Sequence, residues 1–149
     1  MLCGRKVVIS TGTKNLQDQL YKRDIPVVRK ALNVPVTCAL LKGRANYLCR
    51  HRLDLALETL SQYEPRLMPA LHSIQDWSLQ TREGDIADCR AVPESDFIWP
   101  RVTSTADNCL GNDCSYYQDC FVMQARRAAQ AADVVVINHH LLLSDMALQ

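Results

Sequence analysis

Three cysteines lie close together in the run NCLGNDCSYYQDC of this 149-residue chain. They are Cys109, Cys114 and Cys120, and a fourth, Cys49, lies 60 residues upstream of the first in KGRANYLCRHR. Four thiolates form a ligand set for either a tetrahedral Zn²⁺ ion or an iron–sulfur cluster. The turn-forming residues 111–113 can fold the chain back so that Cys109 and Cys114 reach the same centre.

A helix is predicted to follow this turn, over residues 115–132. Ser115 with Gln118 three residues later matches a capping box. This start would place Cys114 beside the positive end of the helix, where a thiolate is favoured, and Cys120 one and a half turns inside it.

The cysteine spacing leaves the kind of centre open. Zinc sites usually combine two short Cys-x-x-Cys hooks, which are absent, and the gaps of four and five residues match neither ferredoxin spacing. Ordinary buried cysteines are a further alternative. The odd total of seven cysteines and the lack of a secretory apolar stretch after Met1 argue against a disulfide framework. We therefore expect a reduced, cytoplasmic chain.

Composition and charge limit the possible partners. With 48% hydrophobic and 22% charged residues, the chain can bury one ordinary core, and no apolar run approaches the roughly 18 residues that a membrane span needs. Residues 1–52 contain 11 Lys or Arg and 2 Asp, so their net charge is +9, whereas the net charge of residues 53–149 is −8. The basic half suits a polyanion, or else a solvated face that the acidic half balances.

The predicted elements form a parallel α/β layer with an insertion. Strands are expected at 6–10, 34–41 and 133–137, and helices at 15–32 (with Pro26 starting a second helix), 44–62, 68–79 and 115–132, with an ordered loop at 81–113. The chain leaves the strand layer near residue 41 and returns at 133, so the segment that carries the cysteines is inserted, with Cys49 in the first turn of the 44–62 helix.

No catalytic residue is predicted. Gly4-Arg5-Lys6 lacks the spacing of a phosphate-binding loop, and no Asp-Glu pair is present to hold Mg²⁺. His139 and His140 follow a predicted buried strand, a position where histidines are usually structural.

Three stretches together resemble a known family. VVISTGTKNLQDQL, LLKGRANYLC and TADNCLGNDCSYYQDCFVMQARRAAQAADVVVINHHLLLSDM are similar, in this order, to the YoaA and DinG branch of the XPD-like superfamily 2 DNA helicases. The resemblance implies that Cys49, Cys109, Cys114 and Cys120 hold a [4Fe-4S] cluster. The other three cysteines, Cys3, Cys38 and Cys89, match no ligand position.

The same resemblance implies an architecture and a DNA surface. Residues 1–41 and 133–149 would be parts of a RecA-like parallel-sheet motor domain, and residues 42–132 an inserted, mainly helical iron–sulfur domain. The implied DNA-contacting residues lie in motif Ia and beside Cys49: Ser10, Thr11, Thr13, Lys14, Lys42, Arg44 and Arg50. Hydroxyl and backbone N–H donors at a strand-to-helix junction suit phosphate oxygens.

The implied whole protein is an ATP-dependent 5′ to 3′ helicase that acts on single-stranded or forked DNA in repair or replication. Its phosphate loop, its DEAH-type Mg²⁺ box and a second motor domain would lie outside these residues, so we expect an excised piece that hydrolyses no ATP alone and has no membrane partner. Two other functions stay open: an independent iron–sulfur module for redox or DNA-damage sensing, and a zinc-stabilised protein-binding scaffold.

Overall fold

A computed structural model of the chain describes residues 7–33 and 35–138. The chain divides into two compact units. The sheet unit comprises Met1–Lys42 and Ala125–Gln149, and the cysteine unit comprises Gly43–Gln124. The histidine pair at 139–140 lies outside the described residues. None of the described helices is long and apolar enough to cross a membrane.

The sheet unit contains three parallel strands: β1 (Val7–Thr11), β2 (Cys38–Leu41) and β3 (Val134–Asn138). Their order is β1-β3-β2, and Val136 on the central strand lies opposite both Ile9 and Leu40. The structure thus confirms a mixed α/β fold with a small parallel sheet. Strand β2 begins at residue 38 rather than at 34. Pro35 explains part of this difference, because proline has no N–H to donate to a sheet.

The α-helices in the described part of the chain are α1 (Lys14–Gln19), α2 (Ile25–Leu32), α3 (Arg50–Tyr63), α4 (Met68–Ser78), α5 (Trp99–Val102) and α6 (Phe121–Ala131). A π-helical turn, Leu20–Asp24, joins α1 to α2, and Pro26 lies in the first turn of α2 as predicted. Asn33, in a left-handed conformation with φ of 52°, ends α2.

Two polar side chains of α1, Gln17 and Asp18, connect this helix to the chain around β2 and β3. Gln17 is fully buried, and its Nε2 donates hydrogen bonds to the backbone oxygens of Leu41 (2.8 Å) and Val136 (3.3 Å). The neighbouring Asp18 forms an ion pair of 3.1 Å with the buried Lys42. These contacts fix α1 over the carboxyl end of β2, next to a core formed by Ala39, Leu41, Ala129, Ala132, Val135 and Ile137.

The cysteine unit is mainly helical, with a core that joins α3, α4 and the ordered loop. Leu71 and Ile74 on α4 are fully buried, as is Val102 at the end of α5. Trp77 and Trp99 pack edge to face with ring centres 5.9 Å apart, and the Trp99 indole donates to the Pro93 carbonyl at 2.7 Å. The long loop is therefore ordered, as predicted, because α5 and these aromatic side chains anchor it.

The helix predicted at residues 115–132 begins at Phe121 instead. Residues 111–113 and 117–119 form separate 3₁₀ turns, and Cys120 has extended backbone (φ −68°, ψ 125°), which interrupts helical hydrogen bonding. Ser115 therefore caps no α-helix, and Cys120 precedes the helix rather than lying inside it. A capping box is a local signal, and here the burial of Phe121 sets the helix start.

Replacing Gln17 with Ala should destabilise the sheet unit by about 2 kcal/mol, because two buried strand carbonyls lose their donor. Hydrogen exchange of the β2 and β3 amides would measure the loss as a lower opening free energy. The control is Gln19→Ala on the exposed side of α1. Equal protection in both variants would contradict the role assigned to Gln17.

Candidate metal centre

Backbone hydrogen bonds fix Cys49 at the position immediately before α3. The Cys49 N–H donates to the Val102 carbonyl at 2.8 Å, and the preceding Leu48 N–H donates to the Gly84 carbonyl at 2.9 Å. Isolated bridges pair Tyr47 with Asp85 and Leu48 with Thr103. Cys49 is thus held on two sides by the ordered loop. It is the N-cap of α3, which begins at Arg50 rather than at residue 44, so Cys49 precedes the helix instead of lying in its first turn as predicted.

The other three predicted ligands lie in a cysteine loop, defined here as residues 109–120. Gly111, at φ of 61°, adopts a conformation that favours glycine, and its carbonyl accepts from the Cys114 N–H at 3.1 Å. The predicted turn between Cys109 and Cys114 is therefore confirmed. Cys120 ends the loop, and its carbonyl accepts from the Gln124 N–H at 2.9 Å, which is the first helical hydrogen bond of α6.

Two of the four cysteines therefore lie at helix N-termini, although not the one predicted. The Cys49 carbonyl accepts from the Leu53 N–H at 2.9 Å, in the same way that Cys120 starts α6. Unpaired N–H groups in a first helical turn favour a nearby negative charge. The effect predicted for Cys114 therefore applies to Cys49 and Cys120, whereas Cys114 ends a 3₁₀ turn.

The sulfurs are surrounded by groups that favour a thiolate and by burial that opposes it. The Cys109 Sγ accepts hydrogen bonds from the Gly111 N–H and from Arg44 Nη1, both at 3.4 Å. Burial raises the pKa of the Cys49 thiol, and the charges of Cys120 and Cys114 raise it further, while the backbone N–H groups of Arg52 and His51 lower it.

Four cysteine thiols are a donor set that either an iron–sulfur cluster or a zinc ion can use. All four cysteines are free and partly buried. Among the described residues, no three His, Cys, Asp or Glu side chains are close enough to hold a single metal ion. A [4Fe-4S] cluster gives each thiolate its own iron, so it does not require four sulfurs around one ion. N–H donors to the cysteine sulfurs are a common feature of such sites.

Two further cysteines lie among the described residues. Cys38 lies on β2 in the sheet unit, and Cys89 has a buried side chain in the cysteine unit. Cys3 lies outside the described residues.

The predicted motif Ia residues lie at the junction of β1 and α1. Ser10 and Thr11 end the strand, Thr13 is the N-cap of α1, and Lys14 is its first residue. The Thr11 hydroxyl donates to the Thr13 carbonyl at 3.2 Å, and the Thr13 hydroxyl oxygen accepts from the Leu16 N–H at 3.1 Å. Both threonine hydroxyls therefore make local bonds that shape the start of the helix.

The structure removes Lys42 from the predicted basic surface, because its side chain is 2% exposed and forms an ion pair with Asp18. Arg44 and Arg50 remain partly exposed in the cysteine unit. Arg44 donates to the Cys109 sulfur, whereas Arg50 Nε donates to the Asp119 carbonyl at 3.3 Å and its guanidinium lies 4.4 Å from the centre of the Phe121 ring.

Two contacts within the cysteine unit were not predicted. The Tyr116 hydroxyl donates to the Asp54 carboxylate, and this hydrogen bond raises the pKa of Tyr116. The Phe121 ring lies directly against Gly84, where a β-carbon would be 2.2 Å from the ring. Neither pair is close in sequence, and no motif joins the partners, so no sequence signal could have identified them.

The chain is similar over nearly its whole length to parts of proteins named DNA helicases. It is 52% identical over 145 residues, 97% of its length, to a protein of Escherichia coli K12 named ATP-dependent DNA helicase YoaA. It is 46% identical over its whole length to the protein of that name in Haemophilus influenzae, and 31% identical over 95% of its length to the ATP-dependent DNA helicase DinG of Escherichia coli K12. No family model matches the chain.

The chain belongs to the YoaA/DinG-type helicase family and corresponds to a segment of its longer members. It spans 23% of the length of each YoaA protein and 22% of DinG.

Replacing Gly84 with Ala should destabilise the cysteine unit by about 2 to 4 kcal/mol, since the new methyl group overlaps the Phe121 ring in a strained conformation at φ of 69°. Urea unfolding followed by the fluorescence of Trp77 and Trp99 would measure the change. Gly43→Ala is the matched control, because its β-carbon would meet its nearest atom at 3.7 Å. Similar unfolding free energies for the two variants would contradict the packing described.

Proposed function

We propose that the cysteine unit binds a [4Fe-4S] cluster through Cys49, Cys109, Cys114 and Cys120, and that the chain is part of an ATP-dependent DNA helicase. The observation that carries the proposal is the position of the four thiols. Two are at helix N-termini, one accepts two N–H donors, and all four are free and partly buried. The names of the relatives support the helicase part.

In this proposal the cluster is mainly a structural link. When bound, it supplies iron–thiolate bonds that tie the cysteine loop to the start of α3. The loop needs such a link because none of residues 109–120 is buried, so little apolar packing holds them. The protein itself positions the cysteines: backbone hydrogen bonds fix Cys49, and the turn at Gly111 brings Cys109 near Cys114.

The sheet unit would be part of a RecA-like motor domain, into which the cysteine unit is inserted. ATP and Mg²⁺ would bind elsewhere in the whole protein, which would move 5′ to 3′ along one strand. Ser10, Thr11, Thr13 and Lys14 would contact the single-stranded DNA backbone. Arg44 and Arg50 would add positive charge beside the cluster, where the cysteine unit would help to part the duplex during repair or replication.

A zinc-stabilised scaffold and an independent redox or damage-sensing module are the competing functions. The four cysteines alone suit zinc as well as iron. The similarity along nearly the whole chain to proteins named DNA helicases favours the helicase segment.

Replacing any one of the four ligands with Ser should strongly reduce the iron bound by the anaerobically purified chain, because each thiolate would hold one iron. Cys38→Ser and Cys89→Ser should leave iron per chain unchanged. Iron and sulfide analysis of the six variants would test the assignment. Iron loss in Cys89→Ser together with full retention in Cys49→Ser would overturn it.

The cluster-loaded chain should bind single-stranded DNA weakly and without sequence preference. About three or four phosphate contacts would give a log–log dependence of affinity on salt with a slope of roughly −2 to −3. Lys14→Gln should make the slope shallower by about 0.7, the loss of one contact.

The control for DNA binding is Arg66→Gln, which removes one positive charge from the cysteine unit. The Arg66 side chain is 81% exposed. Fluorescence anisotropy over a range of salt concentrations would measure the slopes. Binding that does not vary with salt, or the same slope in the Lys14 variant as in the parent chain, would contradict the motif Ia assignment.

A further inference from the structure

The first turns of α3 contact the cysteine loop at two points. Arg50 and Asp54 are four residues apart, so they lie one helical turn apart on the same face of α3. The Asp54 carboxylate accepts a hydrogen bond from the Tyr116 hydroxyl, and Arg50 donates to the Asp119 carbonyl. Both contacts fall between Cys114 and Cys120, the two ligands that flank this part of the loop.

Arg50 also contacts the residue that follows the loop. Its guanidinium lies over the Phe121 ring at 4.4 Å, and the backbone of Gly84 also lies against that ring. A guanidinium on an aromatic face is attracted by the ring quadrupole. Because Phe121 is 2% exposed, this stack joins the C-terminal end of the loop to the core of the cysteine unit.

These contacts involve no cysteine side chain, so they do not depend on a bound cluster. They also occur where other packing is weak, since no residue of the loop is buried. Arg50 is adjacent to Cys49, whereas Asp119 and Phe121 are the two neighbours of Cys120. A contact between these neighbours therefore limits how far apart the two cysteines can move.

We propose that Arg50 and Asp54 form a clamp, the α3 clamp, that positions Cys114 and Cys120 beside Cys49 before the cluster is bound. This inference rests on the proposed cluster site. Residues ordered in advance lose less conformational entropy when a group binds. The clamp therefore makes cluster assembly easier and slows the escape of iron, and Arg50 acts in it as a positioning residue in addition to any contact with DNA.

Hydrogen exchange of the cluster-free chain tests the clamp directly. Arg50→Met keeps the apolar stem but removes the donor and the charge, and Asp54→Ala removes the acceptor. Each should speed exchange of the loop amides by roughly three- to tenfold, the effect of losing one such contact. The controls are Arg66→Met and Glu58→Ala, the latter one turn beyond Asp54 on α3. Both controls should leave loop exchange unchanged.

Rescue and coupling distinguish a positioning role from a general loss of stability. Asp54→Asn keeps an oxygen that accepts the Tyr116 hydroxyl, so it should restore most of the protection lost in Asp54→Ala. Tyr116→Phe should reproduce Asp54→Ala, and combining these two changes should add little, because both remove the same bond. Tyr63→Phe, at an exposed tyrosine of α3, should have no effect.

Release of iron to a chelator from the loaded chain gives the second readout. It should be roughly three- to tenfold faster in Arg50→Met and in Asp54→Ala than in the parent chain. Iron release and loop exchange at parental rates in both variants would overturn the clamp while leaving the cluster proposal intact. A parent chain that holds no iron would overturn the cluster proposal, and loop exchange in the cluster-free chain would still decide whether the clamp exists.

Discussion

The hydrogen bond from the Cys49 N–H to the Val102 carbonyl is the constraint on which the cysteine unit depends. Together with the bond from Leu48 to Gly84, it holds one short extended segment between two parts of a long loop. The segment fixes where α3 begins, and α3 in turn presents Arg50 and Asp54 to the cysteine loop. A cysteine 60 residues away from its nearest partner in sequence is thereby placed by main-chain bonds.

Several basic side chains of the chain make contacts within the protein instead of forming an open basic surface. Lys42 is buried against Asp18, Arg44 donates to the Cys109 sulfur, and Arg50 packs on Phe121. Cations next to a group of thiolates offset their mutual repulsion, which otherwise opposes bringing them together. The excess of positive charge in residues 1–52 is therefore partly used within the protein, and only the remainder is free to attract a polyanion.

Local sequence patterns predicted which helices and strands form better than they predicted the residues at which these begin and end. The parallel strands, the turn at Gly111 and the start of α2 at Pro26 follow from apolar runs and from the backbone preferences of single residues. The start of α6 does not, because the burial of Phe121 against Gly84 overrides the capping signal at Ser115. The roles of Gln17 and Asp54 depend on partners that are distant in sequence, so no local pattern could reveal them.

The central claim is that the four cysteines hold a [4Fe-4S] cluster. The most direct measurement is the metal and sulfide content of the anaerobically purified 149-residue chain, combined with its Mössbauer spectrum. The account predicts about four irons and four sulfides per chain, with the spectrum of a cubane cluster. One zinc ion per chain without sulfide, or a folded chain that binds no metal after reconstitution with iron and sulfide, would contradict it.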